Sequence, residues 1–134
     1  MLSIDLLRVV LRGLLVVVYA AAGVAHFTWP DKFLPIVPEW VPLPRQTILI
    51  TGACEIAGCL GLLTKDWRAA AGCGLALYAI CVFPANIKHA MEAVHVPPIP
   101  DSWWYHGPRL AFQPVFVWWA LFSAGVIDWP FSSK

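Results

Sequence analysis

Glu55 is a carboxylic acid in the middle of an apolar stretch, about Gln46 to Leu63, that carries no other formal charge. A charge at that depth in hydrocarbon is costly unless it faces protein groups, so its side chain is expected to point into a helix bundle. Thr51, Gly52, Gly58 and Cys59, three and four positions away, are all small and would let a second helix approach closely. Two chemical states are open: protonated and hydrogen-bonded, or ionised and paired with a cation. Glu55 is therefore the candidate proton carrier, and the alternative is a polar staple between helices.

Four other polar residues fall at the ends of apolar stretches. His26 closes the first and Asn86 the third, while Arg109 and Gln113 open the fourth, one turn apart on one face. Near a common interface, with Glu55 a turn or two deeper, they would line a funnel and bind a ligand. Arg109 is the cation expected to reach toward Glu55. The alternatives are a helix-end hydrogen bond for His26 and an interfacial anchor for Arg109. Pro84 removes a backbone donor, leaves the Ile80 carbonyl without its usual partner and predicts a kink that aims Asn86 and His89 inward. Between the first two stretches, Phe33, Ile36, Val37, Trp40 and Val41 alternate with Pro35, Pro38, Pro42 and Pro44. This reads as a cap in extended and turn geometry, either a surface anchor or a lid with Phe33 and Trp40 as its candidate residues.

Other chemistry is thinly signalled. Cys54, Cys59, Cys73 and Cys81 form no C-x-x-C pair and lie within apolar stretches, where small-residue packing is the default. Depth matching across the Lys65 to Arg68 turn would set Cys59 level with Cys73 and Cys54 level with Cys81. The histidines at 26, 89, 95 and 106 follow no recognised ligand spacing, so no metal is expected. Hydrolase, phosphate-loop, dinucleotide, haem, iron–sulfur and flavin motifs are absent.

The elements that must hold these residues follow from composition. Of 134 residues, 60% are hydrophobic and 13% charged, against roughly 25% charged in an ordinary soluble domain. Nine basic and eight acidic residues cannot cover a core of this size with polar surface, and a formal charge of +1 offers no basic face for nucleic acid. Hydropathy predicts an all-α bundle of four transmembrane helices, about 9–27, 46–63, 67–86 and 110–127, in a single domain spanning 1–134. Arg8 and Arg12 ahead of an apolar run also resemble a signal peptide, but three further spans favour retention. Arg8, Arg12, Lys65, Arg68 and Lys134 on one side, against Lys32, Arg45, Lys88 and Arg109 on the other, favour both termini in the cytoplasm. Trp103, Trp104 and Tyr105 read as an interfacial belt.

Taken in order, Gly23-Val24-Ala25-His26-Phe27, Ile36-Val37-Pro38 with Trp40, Thr51-Gly52-Ala53-Cys54-Glu55, Phe83-Pro84-Ala85-Asn86, and Arg109 with Gln113 resemble the DoxX family of small four-helix membrane proteins. The resemblance extends over nearly the whole chain. It implies a bundle with the glutamate and asparagine inside, and His26, Glu55, Asn86, Arg109 and Gln113 as its site residues. It also implies a non-autonomous subunit of a membrane redox system, since the founding example is a subunit of a thiosulfate:quinone oxidoreductase. Quinone would then be the ligand, with no intrinsic cofactor and a membrane or peripheral redox protein as partner. A related branch of assembly chaperones implies the alternative, an assembly factor acting through protein contacts. A homo-oligomer built on small-residue faces is compatible with either, and a bacterial inner membrane is the expected location.

Overall fold

The structure, a computed structural model, describes residues 3–131. Lys134, counted above for orientation, lies outside the described residues. The long helices are α1 (Ile4–Thr28), α3 (Pro44–Leu63) and α4 (Arg68–Met91), and the shorter ones are α2 (Pro30–Phe33), α5 (Trp103–Ala111) and α6 (Gln113–Ser123). Among the described residues there is no strand.

Three helices, α1, α3 and α4, are long and apolar enough to cross a membrane. Each buries one stripe and turns the rest outward. In α3 the buried stripe is Ile48, Gly52, Glu55, Cys59 and Leu62, steps of three and four that follow one helix face. Val17, Leu60, Leu77 and Ile80 are all exposed, which suits helices whose solvent is lipid. Hydropathy placed the starts of these helices within a few residues, except that α1 begins earlier. There the Ser3 side chain caps the helix by accepting from the Leu6 amide at 3.2 Å, drawing Asp5 and Arg8 into helix ahead of the apolar run.

The expected fourth span, 110–127, is not one long helix. Its central part is α6, 11 residues and about 16 Å of rise, too short for a ~30 Å hydrocarbon layer. Pro114 lacks the amide that would continue α5, and Phe112 forms the joint between α5 and α6. At the other end Gly125, at φ 77°, reverses the chain. Its amide reaches the Phe122 carbonyl at 3.0 Å and the Val126 amide reaches that of Leu121 at 2.9 Å, the paired bonds of a Schellman stop.

The chain runs up α1, down α3, up α4 and back down α6. A turn over Thr64 to Trp67 joins α3 to α4, and Arg68 Nε caps the Leu62 carbonyl at 3.0 Å. Leu15, Tyr19, Cys59, Leu62, Leu75, Ala76, Ala120 and Ala124 form one buried, mainly apolar core that extends toward this end. Gly72 permits the α4–α6 approach, since a Cβ there would lie 2.2 Å from Ala124 Cβ and 2.9 Å from the Ala120 carbonyl. Arg8 and Arg12 tie α1 to the end of α6. Arg8 donates to the Phe122 and Ile127 carbonyls and pairs with Asp128, while Arg12 donates to the Ser123 carbonyl at 2.9–3.0 Å. Cations over a helix C-terminus satisfy its free carbonyls and its dipole. Ser3 and Phe131 consequently lie at the same end of the bundle.

Candidate functional site

Above that core, α1, α3, α4 and α6, with the cap and Arg109 of α5, line a cavity of about 330 Å³ that is open on one side. Its walls include His26, Phe33, Trp40, Glu55, Tyr78, Asn86, Arg109 and Gln113, with Val18, Ala22, Ile48 and Val82 supplying apolar surface between them.

Close helix approach builds the acidic side. A Cβ at Gly52 would sit 2.9 Å from His26 Cβ and 3.1 Å from the Gly23 carbonyl, so glycine here lets α1 and α3 bring His26 against Glu55. Glu55 is 3% exposed. Its Oε2 lies 2.7 Å from His26 Nδ1, and its Oε1 accepts from the Tyr78 hydroxyl at 2.7 Å. Both carboxyl oxygens are therefore held. The imidazole position suits either assignment of the shared proton, Nδ1–H to carboxylate or carboxylic O–H to Nδ1. Phe33 packs on the His26 ring with centroids 4.4 Å apart, and Tyr19 meets Tyr78 edge-on at 5.9 Å.

The opposite side is basic and amide-rich. Arg109 Nη2 donates to Asn86 Oδ1 at 2.7 Å, and Asn86 Nδ2 donates to Gln113 Oε1 at 3.2 Å. Gln113 Nε2 then donates to the Ala79 carbonyl at 2.6 Å, pinning α6 to α4 one residue before the carbonyl that Pro84 leaves free. Arg109 Nη1 lies 3.0 Å from His89 Nδ1. Burial lowers the Arg109 pKa from its ordinary value, yet a guanidinium stays charged at any pH a protein meets. It is thus the donor in both contacts.

The expected reach of Arg109 toward Glu55 does not occur. Glu55 is engaged by His26 and Tyr78, and Arg109 finds Asn86 and His89 nearer to its own helix. The cap also departs from extended geometry. Pro30 opens the helical turn α2, Leu34–Ile36 forms a 3-10 turn, and Lys88 Nζ holds the Val37 carbonyl at 3.0 Å. Proline's fixed φ suits the first turn of a helix as well as an extended chain. Within this cap Phe33 is seated on His26 while Trp40 is largely exposed at the cavity rim.

All four cysteines are free thiols. Cys59 is buried and donates to the Val16 carbonyl at 3.4 Å, while Cys54, Cys73 and Cys81 are exposed. Beyond the cavity, His89 and His106 are fully buried in contact with each other, ring centroids 4.7 Å apart.

A protein-family model described as Domain of unknown function (DUF8561) matches residues 15–124. The chain belongs to the DUF8561 family. This overturns the expected membership of the DoxX family, for the motifs that suggested it fall wholly inside the DUF8561 match. Small residues at close helix contacts and polar side chains that bond across helices serve packing in many membrane bundles, so such elements carry less family information than their order suggests. Neither the curated proteins nor the solved structures contain a match to this DUF8561 chain.

Proposed function

We propose that this DUF8561 protein binds a lipid-soluble molecule with hydrogen-bonding oxygens, of the quinone type, in the cavity between Glu55 and Arg109, as the non-autonomous membrane subunit of a redox system. The observation that carries the proposal is the buried Glu55 carboxyl, held by His26 and Tyr78 on the wall of a mainly apolar cavity. Small-molecule sites combine apolar walls with a few placed polar groups, and ~300 Å³ is the lower end of their usual volume, enough for a ring headgroup. One ligand oxygen would meet the His26–Glu55–Tyr78 set and the other the Asn86–Arg109–Gln113 set. Reduction of a quinone to its quinol adds two electrons and two protons. Electrons would come from a redox centre on the partner protein, Glu55 with His26 would pass one proton to the nearer oxygen and be reprotonated from water, and the second proton would reach the other oxygen from water at the open mouth of the cavity. Phe33 and Trp40 would close the entrance. The location proposed is a bacterial inner membrane with both termini cytoplasmic, in keeping with Arg8, Arg12, Lys65 and Arg68 at one end.

The test is titration of purified protein in detergent with short-chain ubiquinone and menaquinone analogues. Saturable binding with thermal stabilisation is expected, weakened by Tyr78→Phe and by Arg109→Met. No stabilisation at saturating analogue would refute the reading.

An assembly factor is the second reading, favoured by an apolar groove of about 740 Å³ along α3 and α4, lined by Gly58, Gly61, Gly74 and Trp67. Such a groove suits a partner's helix. That reading fails if Glu55→Gln abolishes activity while fold and partner binding persist.

A further inference from the structure

The polar groups of His89 and His106 are not accounted for by the cavity. Both residues are buried, at 0% and 1% exposure, yet among the described residues both ring nitrogens of His106 have no hydrogen-bond partner, and His89 Nε2 makes no hydrogen bond of ordinary geometry although the Val94 backbone approaches the His89 ring. Buried imidazole nitrogens normally find a partner, and three such nitrogens in two touching rings call for one. Asp101 completes the set. One ligand atom from each of His89, Asp101 and His106 lies within 4.8 Å of the others. The Asp101 carboxylate is itself held, Oδ2 to His95 Nδ1 at 2.6 Å, which leaves its other oxygen available.

We propose that His89, Asp101 and His106 bind a divalent transition-metal cation of the zinc class, with His95 as the positioning residue of Asp101. Two imidazole nitrogens and a carboxylate oxygen form a borderline donor set that suits Zn²⁺ and leaves a fourth position for water. A carboxylate oriented by a second histidine resembles the outer-shell support usual at such centres. The fold has a use for the cation. His89 closes α4, His106 sits in α5, and the connection from Glu92 to Ser102 carries no helix of its own, so a bound ion would clasp that connection and fix α5 against α4.

Occupancy also reaches the cavity through one proton. Arg109 donates to His89 Nδ1, so the neutral ring carries its hydrogen on Nε2. A cation at Nε2 requires the lone pair there, the hydrogen moves to Nδ1, and the Arg109 Nη1 contact is given up. Arg109 keeps Asn86 and gains a free N–H. The proposal does not depend on what the cavity binds.

The experiment uses the full chain, purified in detergent and stripped with chelator, then dialysed against Zn²⁺ and assayed for bound metal. One equivalent per chain is expected, lost in His89→Ala and His106→Ala, weakened about 10- to 100-fold in His95→Ala, and retained in His26→Ala. Because a histidine variant can fail to fold, X-ray absorption on the zinc-loaded wild type provides the second reading. Two imidazole nitrogens at about 2.0–2.1 Å support the site. No stoichiometric binding by wild type, full binding by both histidine variants, or fewer than two imidazoles around the metal would overturn it.

Discussion

Replacing Glu55 by alanine should destabilise the bundle far more than replacing it by glutamine, and the difference can be worked from two contacts. Alanine removes the acceptor of the Tyr78 hydroxyl and the partner of His26 Nδ1, both at 2.7 Å. Each buried polar group left unsatisfied costs about 1–3 kcal/mol. His26 is 16% exposed at its side chain and borders the cavity, so part of its loss is recoverable by water. The lost side-chain volume opens into the existing cavity instead of a new sealed void, and little cavity term is added. The expected cost of Glu55→Ala is then about 2–4 kcal/mol. Glutamine keeps the shape, accepts from Tyr78 through its carbonyl and donates to His26 Nδ1 through its amide, for a cost of about 1 kcal/mol or less. Equilibrium unfolding in mixed micelles, followed by tryptophan fluorescence, measures both. Equal stability of the two variants within about 0.5 kcal/mol would refute the hydrogen-bonded role assigned to the carboxyl.

Three further outcomes follow from the packing. Gly72→Ala should destabilise by about 1–3 kcal/mol through overpacking against Ala124, whereas Gly13→Ala, with nothing within 4 Å of its added Cβ, should be neutral or stabilising by up to about 1 kcal/mol; both are read in the same unfolding assay. Gln113→Leu strips partners from the Ala79 carbonyl and Asn86 Nδ2 and should cost about 1–3 kcal/mol, with faster amide exchange in α6 seen by mass spectrometry. Single-cysteine chains treated with a small apolar, micelle-permeant maleimide should label more slowly at position 59, whose thiol is buried against Val16, than at 54, 73 and 81, which face the micelle.

What could be read in advance depended on how local each cause was. The three long helices follow from uninterrupted apolar runs, which hydropathy detects directly. The shortness of α6 is hidden by averaging over 110–127, which passes over Pro114 and Gly125, two residues whose backbone constraints outweigh the apolar mean. The burial of Glu55 followed from its depth and small neighbours. Its partner Tyr78, outside the expected site, is nonetheless reachable from the sequence: depth matching across the Lys65 to Arg68 turn, which sets Cys54 beside Cys81, also sets Tyr78 beside Glu55. Arg109 was assigned by charge alone, and nearer amide and imidazole acceptors decide its contacts. The meeting of His89 with His106 had no sequence signal, because it depends on how the Glu92 to Ser102 connection folds back.

At one end Leu15, Leu62, Leu75 and Ala124 interlock and Arg8 clasps the end of α6, and at the other side-chain hydrogen bonds surround a cavity. The polar contacts of the first end go mainly to backbone carbonyls at helix ends, away from the cavity, whereas the side-chain contacts lining the cavity are the ones an entering molecule would meet. The helices thus behave like tines fixed in a common handle. A guest at the tips would exchange side-chain partners there while the packing in the handle holds the helices in register.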